Sequence, residues 1–198
     1  MKKIKMVFAS GNAGKIAEMK LLIEKNLRGF EVDLLGLKDV GFTDEIIEDG
    51  ESFEANAEIK ARAVFDKTGL ICFADDSGLC VDYLNGAPGV DTANYGGIER
   101  LLSEMKNVPN GQRAARFCCT IYCVVQKEEK IESFCVAGNC DGIITRERIG
   151  ESGFGYDPVF YYSPEQRTFA QMTSEEKNKF SHRAKAAELF AEKIVKYI

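Results

Sequence analysis

A short apolar run at residues 70–74 ends at two adjacent carboxylates, Asp75 and Asp76. Such a run is typical of a buried strand, and ligands of parallel α/β sheets bind at the carboxyl ends of strands. Two carboxylates at one strand end repel each other unless a cation or hydrogen-bond donors compensate them. The pair therefore predicts either a divalent-metal site or a carboxyl group tuned as a base. A polar turn that caps the next helix would explain the same residues without a function.

The spacing of apolar residues predicts alternating strands and helices in the first part of the chain. The expected elements are a strand at 4–9, a helix at 16–27, a strand at 30–37, a helix at 53–67 and, directly after it, the strand that carries Asp75 and Asp76. Gly69 suits a left-handed cap at the end of the second helix. This order predicts an α/β fold with a largely parallel central sheet.

The second half of the chain has a different pattern. Residues 115–125 and 131–136 are predicted strands that a polar turn at 126–130 joins into a hairpin, the root of a second lobe. Thr173 and Glu176 have the spacing of a capping box, and a closing helix is expected after them. Its buried face is predicted to hold Ala187, Phe190, Ala191, Ile194 and Val195. We expect a single domain, 1–198, of two lobes that share a core.

Composition excludes several classes of protein. The formal net charge of −5 argues against binding nucleic acid through a basic face, although one positive pocket for a nucleotide remains possible. No segment has the ~20 apolar residues that a membrane-spanning helix needs. The apolar stretch at 6–9 is too short for a signal peptide, so the expectation is a cytoplasmic protein without membrane contact.

The seven cysteines are expected to be reduced thiols. None forms a C-x-x-C pair, and the chain has one histidine, which argues against a structural zinc site. Most of them lie among apolar residues, as small core side chains do.

Small residues separate the first strand from the first helix. They are Ser10, Gly11, Asn12, Ala13 and Gly14, and Lys15 follows them. Small side chains let the backbone approach a ligand, and the amides at a helix N-terminus favour anions. The P-loop pattern is not met, because Ile16 follows Lys15 and the glycine spacing differs. The segment predicts a phosphate site or a plain strand–helix turn.

Three further groups of residues could bind a ligand or take part in catalysis, and a purely structural role would explain each of them as well. Glu48, Asp49 and Glu51 add carboxylates before the second helix, where the helix dipole alone also favours them. The loop at 153–158 presents an aromatic ring between glycines, which suits stacking on a base or an ordinary turn. Lys177 and the basic pair at 182–183 suit a phosphate or a base edge, or form a surface cluster. Together with Asp75 and Asp76 they describe a nucleoside polyphosphate bound with a divalent metal.

The chain resembles the inosine triphosphate pyrophosphatase family nearly from end to end. Six motifs occur in the family's order and spacing, at 10–15, 48–56, 74–79, 86–90, 153–158 and 176–183. The resemblance implies an elongated, two-lobed α/β fold with a mixed sheet, flanking helices and a central cleft. It also implies a homodimer that uses Mg²⁺ to hydrolyse non-canonical purine nucleoside triphosphates to a nucleoside monophosphate and pyrophosphate.

The resemblance also implies roles for individual residues. Asp76 corresponds to the proton acceptor and a metal ligand, and Glu48 to a second metal ligand. The implied triphosphate contacts are Ser10, Gly11, Asn12, Ala13, Gly14, Lys15, Ser77 and Lys177. The implied contacts to the base and its surroundings are Phe154, Gly155, Tyr156, Asp157, His182 and Arg183.

One position departs from the family pattern, since Asn94 stands where the family has an arginine. Its charge contact would be missing, which can change the rate or the substrate range. Three alternatives stay open: a pyrophosphatase for pyrimidine or modified nucleotides, a nucleotide-binding protein without turnover, and a redox or zinc role for the cysteines.

Overall fold

The computed structural model describes residues 1–198 as an α/β protein with one mixed sheet of seven strands. The strands are β1 (Lys2–Phe8), β2 (Phe30–Leu35), β3 (Ile71–Val81), β4 (Ala114–Lys127), β5 (Lys130–Ile144), β6 (Phe160–Tyr162) and β7 (Arg167–Thr168). Their order is β2-β1-β3-β4-β5-β6-β7; β1 is parallel to β2 and β3, whereas β6 is antiparallel to β5 and β7. The helices are α1 (Ala13–Asn26), α2 (Phe53–Thr68), α3 (Gly97–Glu104), α4 (Ser174–Lys177) and α5 (His182–Ile194). The predicted class, a mixed α/β sheet with flanking helices, is confirmed.

The chain forms two compact units. The first unit comprises Met1–Asp76, Cys119–Gly138 and Arg183–Ile198, and the second comprises Ser77–Cys118 and Asn139–His182. Helices α1, α2 and nearly all of α5 therefore belong to the first unit, and α3 and α4 to the second. That the chain is one domain of two lobes stays a prediction.

In the first unit, successive side chains of β3 belong to different hydrophobic clusters. Phe73 packs with residues of α1 and α5, and its ring lies 4.6 Å from that of Phe190. Cys72 and Ala74 pack instead with residues of α2, among them Ala57. Because side chains alternate along a strand, α2 covers one face of this part of the sheet, and α1 and α5 cover the other.

The helix ends follow local capping rules. The Asn12 side chain accepts a hydrogen bond from the Lys15 amide at 3.1 Å and begins α1. Ser52 caps the start of α2 in the same way, and α2 ends at Gly69 with φ at 63°. The C-cap predicted at Gly69 is confirmed, because glycine adopts this left-handed conformation without a Cβ clash.

The prediction that Asp75 and Asp76 lie at the carboxyl end of the third strand is wrong. Strand β3 continues through Asp75 and Asp76 to Val81. Polar residues inside a buried strand usually cost stability, but here each carboxylate has its own cationic partner. The strand can therefore continue through the charged pair.

The hairpin predicted in the middle of the chain is present. Only residues 128–129 separate β4 from β5, and these strands are neighbours in the sheet. At the C-terminal end, the Thr173–Glu176 capping box is confirmed, but it begins the four-residue α4 rather than the closing helix. Val195 was expected on the buried face of the closing helix and is 45% exposed, because α5 ends at Ile194.

A buried arginine joins separate segments of the second unit. The Arg113 guanidinium donates hydrogen bonds to the backbone carbonyls of Met105, Val108, Ile144 and Thr145, at 2.6 to 3.3 Å. Arg113 is 3% exposed, so these carbonyls replace its water shell. One side chain thus donates to carbonyls of two segments that are far apart in the sequence.

None of the helices combines the length and the apolar character that crossing a bilayer requires. None of the seven cysteines is in a disulfide bond, and Cys72, Cys119, Cys123 and Cys140 are buried.

Candidate active site

Asp75 is a buried carboxylate held by cations in the first unit. Its Oδ2 atom accepts hydrogen bonds from Arg183 Nε at 3.1 Å and Nη2 at 3.0 Å, and Lys15 Nζ lies 3.3 Å from Oδ1. Burial would raise the pKa of Asp75, but the charges of Lys15 and Arg183 outweigh it and hold the pKa below its usual range. Asp75 is therefore an anchored anion, poorly suited to accept a proton.

Arg183 is the centre of this anchor. Its guanidinium is 1% exposed and donates a further hydrogen bond to Glu18 Oε2 at 2.6 Å. Burial works against the charged form, but the carboxylates of Asp75 and Glu18 raise the pKa of Arg183 above its usual value. In the structure this side chain positions Asp75, and its predicted contact near the base stays a prediction.

Asp76 lies on the other face of β3, toward α2. Its Oδ1 atom accepts a hydrogen bond from Lys60 Nζ at 3.0 Å, and Asn56 Nδ2 lies 3.5 Å from Oδ2. Burial raises the pKa of Asp76, and the charge of Lys60 offsets this only in part. A carboxylate with a raised pKa is a better proton acceptor than an ordinary one.

Lys60 holds Asp76 and Glu48 around one ammonium group. Its Nζ atom also contacts Glu48 Oε2, so both predicted metal ligands converge on the same cation. Burial would lower the pKa of Lys60, but the two carboxylates raise it above its usual value. Sequence reasoning missed Lys60, although its helical spacing from the buried Asn56 and Ala57 was a usable signal.

Asn56 fixes the loop that carries Glu48. Its Oδ1 atom accepts a hydrogen bond from the Gly50 amide at 2.8 Å, while its Nδ2 atom faces Asp76. A Cβ atom on Gly50 would lie 2.7 Å from Asn56 Oδ1, so only glycine permits this approach. The loop without regular structure before α2 is thus tied to the strand residue Asp76.

The turn between β1 and α1 is stabilised by its own side chains. The Ser10 hydroxyl accepts a hydrogen bond from the Asn12 amide at 3.3 Å. The Asn12 side chain accepts one from the Lys15 amide and so caps α1. Gly11 is exposed, whereas Lys15 is half-buried beside Asp75. The small residues come directly before a helix N-terminus, as the sequence predicted, and their contact with phosphate stays a prediction.

In the second unit, Asp157 and Lys177 form a buried ion pair. Lys177 Nζ donates a hydrogen bond to Asp157 Oδ2 at 2.7 Å and lies 4.9 Å from the centre of the Phe154 ring. The Phe154 amide donates to the same oxygen at 2.9 Å. Gly153 has φ at 76°, and a Cβ atom there would lie 2.2 Å from Asp157 Oδ2. Glycine at 153 is therefore required for this loop to close on Asp157.

The remaining predicted residues of the second unit differ in exposure. His182 is 3% exposed, and its ring stacks on Phe117 with the ring centres 4.7 Å apart. Tyr156 is buried, and its hydroxyl lies 3.4 Å from the Thr92 carbonyl oxygen. Ser77 is half-buried, and Asn94 is exposed at the end of the turn Gly89–Ala93. None of these positions tests the roles assigned from the resemblance.

Comparison with known proteins places the chain among nucleotide pyrophosphatases and their structural relatives. A sequence model of the Ham1 family matches residues 6–193. A dITP/XTP pyrophosphatase of Bacillus licheniformis is 44% identical over an alignment of 190 residues, and the match covers 91% of this chain and 93% of that protein. A HAM1 protein from Coxiella burnetii has a similar structure, with a TM-score of 0.84, 37% identity, and coverage of 98% of this chain and 99% of that one.

A third relative carries both a structure and an activity in its description. It is a nucleoside-triphosphatase, dITP/XTP pyrophosphatase, from Mycobacterium abscessus, with a TM-score of 0.72 and 39% identity. The match covers 94% of this chain and 98% of that one. The resemblance inferred from the six motifs is thereby confirmed.

Proposed function

Because this chain belongs to the Ham1 family, we propose that it hydrolyses the non-canonical purine nucleoside triphosphates ITP, dITP and XTP. The products are the nucleoside monophosphate and pyrophosphate, and the reaction removes these nucleotides from the cellular pool. The relatives named dITP/XTP pyrophosphatase support the proposal, since they match the chain over nearly its full length. One structural observation carries it: the buried carboxylate Asp76 has a raised pKa and shares a cation with Glu48.

In this mechanism Asp76 is the general base. It accepts a proton from the water that attacks the α-phosphorus, and its raised pKa makes it a stronger acceptor than an exposed aspartate. The neighbouring Asp75 remains ionised and bound to Arg183, so it keeps β3 in place without competing for that proton. Lys15 and Lys60 offset the negative charge of the phosphates in the first unit.

The oxygen atoms of Glu48 and Asp76 fit a magnesium ion. They converge on the ammonium group of Lys60, which marks a position where this unit already favours positive charge. No three His, Cys, Asp or Glu side chains are grouped to bind a metal by themselves. Mg²⁺ commonly takes one or two carboxylates and completes its shell with substrate phosphates and water. When bound, it would polarise the phosphate oxygens and stabilise the pyrophosphate leaving group.

The proposed phosphate contacts are the small residues before α1 and the lysines. They are Ser10, Gly11, Asn12, Ala13, Gly14, Lys15, Ser77 and Lys177. The exposure of Gly11 and the helix N-terminus after Asn12 support the first group, because amide groups at such a position favour anions. Lys177 is buried in an ion pair with Asp157. Its charge can therefore bind a phosphate only if the substrate reaches that ion pair.

The proposed contacts to the base belong to the second unit, apart from Arg183. They are Phe154, Gly155, Tyr156, Asp157, His182 and Arg183. Hypoxanthine and xanthine have an acceptor oxygen at position 6, where adenine has a donor. A buried donor is satisfied by the oxygen and left unpaired by adenine, a mismatch that can discriminate by ~10⁴. With the Arg183 guanidinium bound to two carboxylates, His182 is the stronger candidate for that donor.

We further propose that the protein acts in the cytoplasm as a homodimer, with residues 1–198 as one domain. Sedimentation velocity at micromolar concentration tests the dimer. A single species with the 22.0 kDa mass of one chain would contradict it.

Turnover on a panel of nucleotides tests the proposed function. The purified protein is incubated with Mg²⁺ and ITP, XTP, dITP, GTP, ATP or TTP, and phosphate is measured with and without added inorganic pyrophosphatase. We expect phosphate only with the added enzyme and mainly from ITP, dITP and XTP. Direct phosphate release would contradict attack at the α-phosphorus. Binding without turnover would instead support a nucleotide-binding protein, and Asn94→Arg would be the first variant to examine.

A further inference from the structure

Two thiols lie side by side in the second unit. Cys80 near the end of β3 and Cys118 in β4 have their Sγ atoms 3.9 Å apart, within hydrogen-bond distance for sulfur. Both side chains are half-buried, so small molecules in solvent can reach them. Strands β3 and β4 are neighbours in the sheet. No part of the proposed hydrolysis uses either thiol.

The charges around Cys80 favour its thiolate. The hydrogen bond from the Cys118 thiol lowers the pKa of Cys80 most, and the guanidinium of Arg116 lowers it further. Burial and the carboxylate of Asp82 act in the opposite direction, and the result is a pKa of about 7. Arg116 also binds Asp141 at 2.5 Å, so its charge is held at the surface beside this strand.

Four other cysteines have raised pKa values, in contrast to Cys80. Burial raises the pKa of Cys72 to about 12, and that of Cys135 to about 11. Cys119 and Cys123 are buried, and their pKa values are also raised above the ordinary value by burial. A thiol needs its thiolate form to attack an oxidant or a disulfide. Cys80 is thus better prepared for such chemistry than these four thiols.

We propose that Cys80 and Cys118 are a dithiol site that hydrogen peroxide converts reversibly to a disulfide. The Cys80 thiolate attacks one peroxide oxygen, the O–O bond breaks, and the products are a sulfenic acid and, after protonation, one water. The Cys118 thiol then attacks the Cys80 sulfur, its proton leaves with the hydroxyl group as a second water, and the S–S bond forms. The two thiols lose two electrons to the peroxide, and a dithiol reductant returns them.

The geometry permits this bond without a change of fold. A disulfide has an S–S length of ~2.0 Å and accepts Cα separations of ~4.4–6.8 Å. The Sγ atoms of Cys80 and Cys118 already face each other at 3.9 Å across these neighbouring strands. The two sulfur atoms therefore need to approach by about 2 Å, which rotation of the side chains can supply.

Mapping of oxidised cysteines in the full-length protein tests the proposal. The folded protein is treated with hydrogen peroxide, denatured in an alkylating reagent, digested and analysed by mass spectrometry. We expect a peptide pair linked through Cys80 and Cys118 that has lost two hydrogens and that dithiothreitol restores. Fragmentation must assign the bond to Cys118, because Cys119 and Cys123 lie in the same tryptic peptide. Alkylation of both thiols after peroxide treatment, or a bond to Cys119, would overturn the proposal.

Two variants and the pH dependence sharpen the test. In Cys118→Ser the Cys80 sulfenic acid should persist and react with dimedone, whereas Cys135→Ser should form the disulfide like the parent protein. With a pKa of about 7, the thiolate fraction of Cys80, and hence the initial oxidation rate, should rise about tenfold from pH 6 to pH 8. An ordinary thiol with a pKa of ~8.5 would show a rise of about 75-fold. A rise of that size would overturn Cys80 as the attacking thiol.

Discussion

Asp75 and Asp76 are consecutive in the sequence, but their carboxylates are bound on opposite faces of the sheet. Asp75 is held by Arg183 of α5, and Asp76 by Lys60 of α2. Because side chains alternate along β3, each carboxylate meets a different set of helices and a different cation. Their pKa values are consequently shifted in opposite directions, downward for Asp75 and upward for Asp76.

Asp76→Asn should lower kcat by roughly 10²–10⁴ without unfolding the protein, as expected on loss of a positioned base. The raised pKa of Asp76 means that its ionised form costs stability in the folded state at neutral pH. A neutral asparagine should therefore keep or raise the free energy of unfolding. The measurements are steady-state turnover of ITP and urea denaturation.

The matched control is Asp49→Asn, which removes an exposed carboxylate from the loop that carries Glu48. Its turnover should stay within about twofold of the parent protein, as is usual for surface substitutions. Near-normal turnover of Asp76→Asn would rule out its role as the base.

Asp75→Asn should lower the free energy of unfolding by about 3–5 kcal/mol, because it leaves the buried charge of Arg183 with one partner fewer. The folded pKa of Asp75 lies below the ordinary value of 3.8. Its contribution is therefore fully present above about pH 4 and is lost as the pH falls through the lower, folded value.

Urea denaturation from pH 7 to pH 3 measures this effect. The difference between the parent protein and Asp75→Asn should be constant near neutrality and should narrow in acid. Asp141→Asn breaks an ion pair at the surface and should change stability little. Equal stability losses in the two variants would contradict the anchoring role of Asp75.

Lys60→Met should move the acidic limb of the kcat/KM–pH profile to higher pH. The charge of Lys60 opposes the effect of burial on the pKa of Asp76, so its removal raises that pKa further. A base with a higher pKa stays protonated, and inactive, up to a higher pH. Lys67→Met, on the same helix but exposed, is the control and should leave the limb in place. An unshifted limb in Lys60→Met would mean that another group is the base.

His182→Ala should reduce the preference for ITP over ATP by roughly 10- to 100-fold, the loss expected when one buried hydrogen bond of ~1–3 kcal/mol is removed. The readout is the ratio of kcat/KM values for the two substrates. Phe117→Leu disturbs the same ring stack but removes no donor, so its ratio should be unchanged. If both variants lose preference equally, packing rather than hydrogen bonding sets the selectivity.

Local patterns predicted most of the elements of this fold. The helix ends at Gly69 and Thr173 and the central hairpin depend on residues close in sequence, so turn and capping rules find them. The length of β3 could not be predicted in this way. Its two aspartates are stabilised by Arg183 and Lys60, which are 108 and 16 residues away, and a sequence pattern does not show such partners.

The sequence predicted which residues belong to the candidate site better than it predicted which of them contact each other. Lys60 and Glu18 look like ordinary helix-surface residues in the sequence, yet both are nearly buried and bind the charged groups of the site. Arg183 was expected near the base, whereas its guanidinium binds Asp75 and Glu18. Ion pairs between residues far apart in the sequence determine where these side chains lie. A single sequence contains no regular spacing from which such pairs can be inferred.

The guanidinium of Arg113 has a consequence for where the chain tolerates added residues. It binds carbonyls at 105, 108, 144 and 145, so an insertion in either segment would move an acceptor away from a fixed donor. The turn at 128–129 has exposed side chains and joins two strands at their ends. A peptide tag or a reporter domain is therefore best inserted at this turn, and loop grafting near Arg113 is best avoided.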